Sequence, residues 1–124
     1  MKQRFYQCKT CGNIVTKVKD SGMEVACCGE AMTELIPGSV DAAHEKHVPV
    51  WTVRAGLVHV SVGAAAHPMA SEHFIVWIAL QTRQGFQCKR LHSGEKPEAC
   101  FALYTGDEVE AVYAYCNLHG LWEA

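Results

Sequence analysis

The sequence has no hydrophobic run long enough to cross a bilayer. Its longest, Phe74 to Leu80, falls far short of the roughly 20 residues a spanning helix needs. It has no excess of positive charge either: 11 Lys and Arg stand against 13 Asp and Glu, for a net charge of -2. A basic stripe is the electrostatic footprint of nucleic-acid binding, so no nucleic acid partner is expected. The first residues, Met1 to Cys8, carry charges and no apolar core of signal-peptide length. There are no repeats, no low-complexity segments and no stretch with a helical period. With charged residues at 19% and hydrophobic residues at 49%, disorder is excluded as well. The expectation is a soluble, cytoplasmic, globular protein with no membrane contact.

Cysteine, by contrast, is abundant: seven in 124 residues. In a reducing compartment that count points to metal binding or redox chemistry before a disulfide framework. Four of the seven lie before Pro37-Gly38, in a segment with few large apolar side chains. A module under about 40 residues cannot normally bury enough surface to fold unaided, so this one needs a covalent or metal staple. Pro37-Gly38-Ser39 reads as a turn and places a boundary, giving residues 1–37 and 38–124 as two domains.

The second domain reads as β-structure. Leu57 to Val62 alternates apolar and polar residues, and Phe74 to Leu80 is β-branched and aromatic, as in a strand buried on both faces. Val48 to Val53 and Val109 to Tyr115 supply further strands, the second read as the last. Phe86 to Leu91 and Ala99 to Tyr104 flank a turn-rich segment, His92 to Pro97, and read as a hairpin. Short strands at this spacing predict a mainly β chain with an antiparallel sandwich.

Two groups of residues carry metal chemistry. Cys8-Lys9-Thr10-Cys11 is a C-x-x-C knuckle followed by Gly12, and Cys27-Cys28-Gly29 follows it. Four thiolates at this separation make a tetrahedral site for zinc or iron, and spacing does not choose between them. Adjacent cysteines on an extended strand point to opposite faces, so Cys27 and Cys28 can share a metal only if the backbone bends. The second group is His47, His67, His73, Cys116 and His119, spread over three segments at predicted strand ends. Four neutral imidazoles and one thiolate leave a position open on a six-coordinate metal, which suits iron better than zinc. The thiolate would push electron density through the metal toward an oxygen ligand opposite it.

Glu45-Lys46-His47-Val48-Pro49, His67-Pro68-Met69, His73 and Cys116-Asn117-Leu118-His119-Gly120 resemble the signature of superoxide reductases. Cys8, Cys11, Cys27 and Cys28 extend the resemblance to desulfoferrodoxins, the two-iron class, over nearly the whole chain. The resemblance implies a desulforedoxin-like N-terminal module with an Fe(Cys)4 centre, followed by an immunoglobulin-like antiparallel β-sandwich. It implies that His47, His67, His73 and His119 are equatorial ligands of a second iron and Cys116 its axial ligand. It further implies that Glu45 approaches the open position in the oxidised state and that Lys46 attracts superoxide there. Superoxide would be reduced to hydrogen peroxide without dioxygen, the electron coming from an external donor such as rubredoxin, in a homodimer.

Two other readings compete: a rubredoxin-like electron carrier with incidental histidines, and a zinc-stabilised binding module. His44, His59 and His92 are read as non-ligands. Cys88 and Cys100 have no place in either metal group. If the hairpin were symmetric about Gly94 they would face each other across it, close enough for a disulfide.

Overall fold

The computed structural model describes residues 2–124. The chain divides into two compact units, Met1–Ile36 and Pro37–Ala124.

The first unit is built from five short strands: β1 (Phe5–Gln7), β2 (Ile14–Thr16), β3 (Ala26–Cys27), β4 (Glu30–Ala31) and β5 (Thr33–Glu34). Strands β2, β1 and β5 make one small antiparallel sheet, and β3 and β4 make a hairpin. Among its described residues only Phe5 and Cys8 are buried. So little apolar burial cannot offset the chain entropy lost on folding, which is why the sequence of this unit carries almost no strand pattern.

In the second unit a single helical turn, α1 (His44–His47), precedes seven strands: β6 (Pro49–Arg54), β7 (Leu57–Val62), β8 (Ile75–Thr82), β9 (Phe86–Arg90), β10 (Glu98–Ala102), β11 (Val109–Cys116) and β12 (Gly120–Glu123). Pro49 lies two residues past the turn and cannot continue it. One sheet runs β10-β7-β6 and the other β12-β11-β8-β9, all neighbours antiparallel.

The alternation read in Leu57 to Val62 is real: Val58, Val60 and Val62 point inward and are essentially inaccessible. They meet Ile75, Ile78 and Leu80 of β8, Ala99 and Phe101 of β10, and Val112 and Ala114 of β11 in one core. Both faces of β8 are covered, as its composition predicted. On the face away from that core Trp77 stacks on Tyr115, with ring centroids 5.7 Å apart, and Tyr113 donates to Gln81 at 3.0 Å. The sandwich expected from the strand pattern is therefore present.

One expected pairing is not. β9 pairs with β8 and β10 with β7, so the segments flanking His92 to Pro97 belong to different sheets. The turn-rich stretch is a crossover, not a hairpin tip. It is held by His92 N–H donating to Glu95 Oε1 and Gly94 N–H donating to the Met69 carbonyl. Cys88 therefore sits opposite Ala79, and Cys100 opposite His59. Both thiols are free, and the disulfide hypothesis fails. Strand β12, after the one read as last, was also missed. It is only four residues long and begins at a glycine.

Gly63 ends β7 where α1 passes over it. A Cβ there would lie 2.7 Å from the Glu45 carbonyl oxygen and 2.9 Å from that of Val48. Both are backbone atoms, so relief requires the α1 segment to move. Gly63→Ala should cost roughly 1–3 kcal/mol, typical of overpacking, measured as a lowered urea midpoint with unchanged slope.

Candidate metal centres

In the first unit the knuckle closes on itself. Cys11 N–H donates to Cys8 Sγ at 3.5 Å, and Gly12 N–H donates to the Cys8 carbonyl at 2.9 Å. Gly12 has φ +82°, the left-handed backbone that a glycine adopts without penalty. The second pair is presented by the β3–β4 hairpin. Cys27 pairs with Glu30, leaving Cys28 and Gly29 as a two-residue loop with φ of 51° and 79°. Positive φ at both central residues is the signature of a type I′ turn. The bend needed for adjacent cysteines thus falls on Cys28 itself as well as on Gly29. It turns the Cys28 side chain back beside that of Cys27.

All four sulfurs lie within 4.8 Å of one another, with Cys11 to Cys27 at 3.7 Å and Cys27 to Cys28 at 4.0 Å. These distances exclude disulfides. They match the edge of a tetrahedron, about 3.8 Å for a metal–sulfur bond of about 2.3 Å. The acidities agree. The Cys11 backbone N–H lowers Cys8 to about 7, while thiol contacts with Cys11 and Cys8 push Cys28 up to about 12. One sulfur ionises readily and its charge opposes the rest. A bound cation removes that opposition and deprotonates all four. Thr10 Oγ1 donating to Glu30 Oε1 at 3.2 Å ties the knuckle to the hairpin, and Asn13 Nδ2 donates to Cys27 Sγ at 3.8 Å.

In the second unit the candidate ligands come from three places. His47 ends α1, His67 and His73 flank the loop before β8, and Cys116 and His119 flank the turn between β11 and β12. The four imidazoles stand around a square. His47–His67, His67–His73, His73–His119 and His119–His47 have ring centroids 4.6, 4.7, 5.1 and 4.9 Å apart, each pair close to perpendicular. The diagonal His47–His73 is 6.3 Å, with the rings inclined by only 30°. Cys116 Sγ, fully buried, lies 3.8 Å from His119 Nδ1.

Hydrogen bonds fix the tautomers. His47 Nδ1 donates to the Ala43 carbonyl and His67 Nδ1 to the Pro68 carbonyl, each at 2.7 Å. A carbonyl only accepts, so both Nδ1 atoms carry protons. Burial lowers His47 and drops His67 to about 4, so at neutral pH both rings are uncharged and Nε2 is a bare lone pair. These two Nε2 atoms lie 3.2 Å apart, and His47 Nε2 is 3.1 Å from His119 Nδ1. His73 Nε2 is buried and has no hydrogen-bond partner among the described residues. Lone pairs facing each other at this distance repel unless a cation lies between them. The spacing suits one, since adjacent nitrogens about 2.1 Å from a metal lie about 3.0 Å apart. The four-cysteine set fits iron, and so does the set of His47, His67, His73 and Cys116 with His119 beside His47 and Cys116.

Glu45 and Lys46 are exposed and lie on α1 immediately before His47. Lys46 is near enough for its charge to help lower the His47 and His73 pKa values, after burial as the main cause. His44 packs edge-on against Trp122 with centroids 5.3 Å apart, while His59 and His92 are exposed and outside the cluster. Sequence reasoning missed Trp122. Its ring lies 5.0 Å from that of His47, and its indole N–H donates to the His119 carbonyl at 3.1 Å, so one buried side chain braces two members of the cluster. No spacing rule marks such a residue. The carbonyls of Ala43 and Pro68 were equally invisible, since any residue could supply them.

His47, His67 and His73 all have folded-state pKa values below the ordinary 6.5. The folded metal-free chain therefore binds fewer protons than the unfolded chain in mild acid, and its stability rises with pH there. Stability should be full above about pH 6.5 and fall as pH drops toward about 4. Urea midpoints of chelator-treated protein across that range test this, with a smaller fall expected for His67→Gln.

The desulfoferrodoxin family profile matches residues 39–124, and that of the desulfoferrodoxin N-terminal domain matches residues 1–35. A desulfoferrodoxin of Syntrophotalea carbinolica is 46% identical over 99% of this chain and 96% of its own length. A superoxide reductase of Pyrococcus horikoshii is 41% identical over 68% of this chain and 89% of its own. The crystal structure of the superoxide reductase from Treponema pallidum aligns with a TM-score of 0.85 at 40% identity, covering 100% of this chain and 99% of that one. With both of its domains matched in order and relatives similar along their whole length, the chain belongs to the desulfoferrodoxin family.

Proposed function

We propose that this chain is a superoxide reductase. The observation that carries the reading is the square of four imidazoles with one buried cysteine sulfur, beside an exposed lysine. His47, His67, His73, His119 and Cys116 would hold an iron, which would supply the one electron that, with two protons, converts superoxide to hydrogen peroxide without release of dioxygen.

The protein's own part is geometric and electrostatic. Burial of His47 and His67 keeps those rings neutral, so their lone pairs stay available at physiological pH. Cys116 is fully buried, so a metal–sulfur bond made there would be shielded from water. Lys46 offers the local positive charge that a small anion needs on a chain of net charge -2. Its place on the residue before His47 supports that role. Glu45, one residue earlier, is assigned the approach to the open position in the oxidised state, on the family resemblance.

Residues 1–37 form the iron module in this reading, held by Cys8, Cys11, Cys27 and Cys28, and residues 38–124 form the reductase domain. An external donor of the rubredoxin kind returns the electron, and the protein works in the cytoplasm as a homodimer; these assignments rest on the resemblance. No helix among the described residues is long and apolar enough to cross a membrane. The electron-carrier and zinc-module readings leave the histidine square without a task.

Metal content by element, on anaerobically purified protein, should give two irons per chain; two zincs and no iron would contradict the reading. Lys46→Ala should slow the reaction of the reduced protein with superoxide by about tenfold and weaken its dependence on ionic strength. An unchanged rate in rapid mixing would remove Lys46 from the mechanism.

A further inference from the structure

We propose that Asn117 is a positioning residue for the histidine–cysteine centre, clamping the backbone on both sides of His73 to the turn that carries Cys116 and His119. Three hydrogen bonds make the clamp. Phe74 N–H donates to Asn117 Oδ1 at 2.9 Å, Asn117 Nδ2 donates to the Glu72 carbonyl at 3.0 Å, and Asn117 N–H donates to the Phe74 carbonyl at 3.2 Å. The residues joined are more than 40 positions apart in sequence.

The clamp stands where ordinary pairing ends. The β8–β11 register slips between Tyr115 and Cys116, and its last pair is Cys116 with Ile75. Beyond that pair, the Asn117 amide continues the ladder by one step, accepting and donating as a peptide group would. Among the described residues the His73 backbone bonds only to Ala70, through a reciprocal pair at 3.0 and 3.1 Å within its own loop. That pair fixes the shape of the loop but does not tie it to the Cys116 turn.

His73 depends on the clamp more than the other ligands do. The rings of His47 and His67 are each oriented by a carbonyl on Nδ1, and the His119 carbonyl is held by Trp122. Among the described residues no carbonyl orients the His73 ring, and its Nε2 has no hydrogen-bond partner. Its position is set through its backbone, and the residues on either side of it are what Asn117 holds. Partners that orient metal ligands in this way commonly change metal affinity about 10–100-fold when removed.

The inference rests on the iron reading of this centre, and the experiment separates the two. Asn117→Ala removes both side-chain bonds. Asn117→Asp keeps the acceptor for Phe74 N–H and loses the donor to Glu72. Leu118→Ala, an exposed neighbour in the same turn, is the control. Three quantities are read: loss of iron to a chelator from each centre, the thiolate-to-ferric absorption, and hydrogen exchange at the Phe74 amide.

In Asn117→Ala the histidine–cysteine centre should lose iron about tenfold faster or more, with shifted absorption and an unprotected Phe74 amide. The four-cysteine centre should not change. Asn117→Asp should keep Phe74 protected and fall between wild type and Asn117→Ala in iron release, while Leu118→Ala should match wild type. Wild-type iron release, absorption and Phe74 protection in Asn117→Ala would overturn the proposal. If that variant does not fold, a wild-type release rate in Asn117→Asp would do so. Wild-type protein that holds no iron at this centre would instead overturn the iron reading, and Phe74 exchange would still decide whether the clamp exists.

Discussion

Lone pairs on neighbouring imidazoles repel, and this chain turns those of His47 and His67 toward each other within a ring of four imidazoles. His47 and His67 do not relieve the conflict by protonation, because burial keeps them neutral; nor can they turn a proton inward by changing tautomer, because each Nδ1 proton is held by a carbonyl. His73 Nε2 has no hydrogen-bond partner among the described residues. The second unit therefore stores a local electrostatic cost that a cation converts into binding energy. A preformed square of donors also selects among cations, since a metal that prefers four ligands in a tetrahedron cannot use it fully. The sandwich makes this possible. Its core is assembled from both sheets without help from the metal, so loops at the strand ends can be held in a conformation they would not choose alone.

The first unit uses metal differently. With only Phe5 and Cys8 buried among its described residues, it has no comparable core to fall back on. Its four cysteines are candidate ligands of one metal, and Cys8 is one of its two buried side chains. Binding free energies of roughly 10–16 kcal/mol for structural metals in small peptides exceed anything two buried side chains supply. One chain thus holds a metal that completes a fold and another that a completed fold positions for chemistry.

The sequence made some of this legible and hid the rest for physical reasons. Leu57 to Val62 and Phe74 to Leu80 were readable because burial imposes a period of two, or none where both faces are covered. The hairpin across Gly94 was misread because turn residues mark a change of direction without saying which sheet the next strand joins. That choice is made by the core, where Phe101 packs with Val58 and Val60. The strands of the first unit, two or three residues long, lack the length to show any period. In the metal centres, cysteine and histidine identities stand out because the chemistry admits few substitutes. Trp122 and Asn117 do not, because their roles depend on where a ring or an amide lands in space. Cys28 is a partial case: its adjacency to Cys27 demanded a bend, and the left-handed backbone at Cys28 itself appears only in the structure.

The most direct test of the account is product stoichiometry. The fully reduced protein, loaded with iron and mixed with superoxide in the absence of other catalysts, should yield one hydrogen peroxide for each superoxide consumed and no dioxygen. Release of dioxygen with half that yield of peroxide would mean dismutation. Failure of the iron-loaded protein to consume superoxide at all would contradict the assignment of the histidine–cysteine centre as the site of reduction.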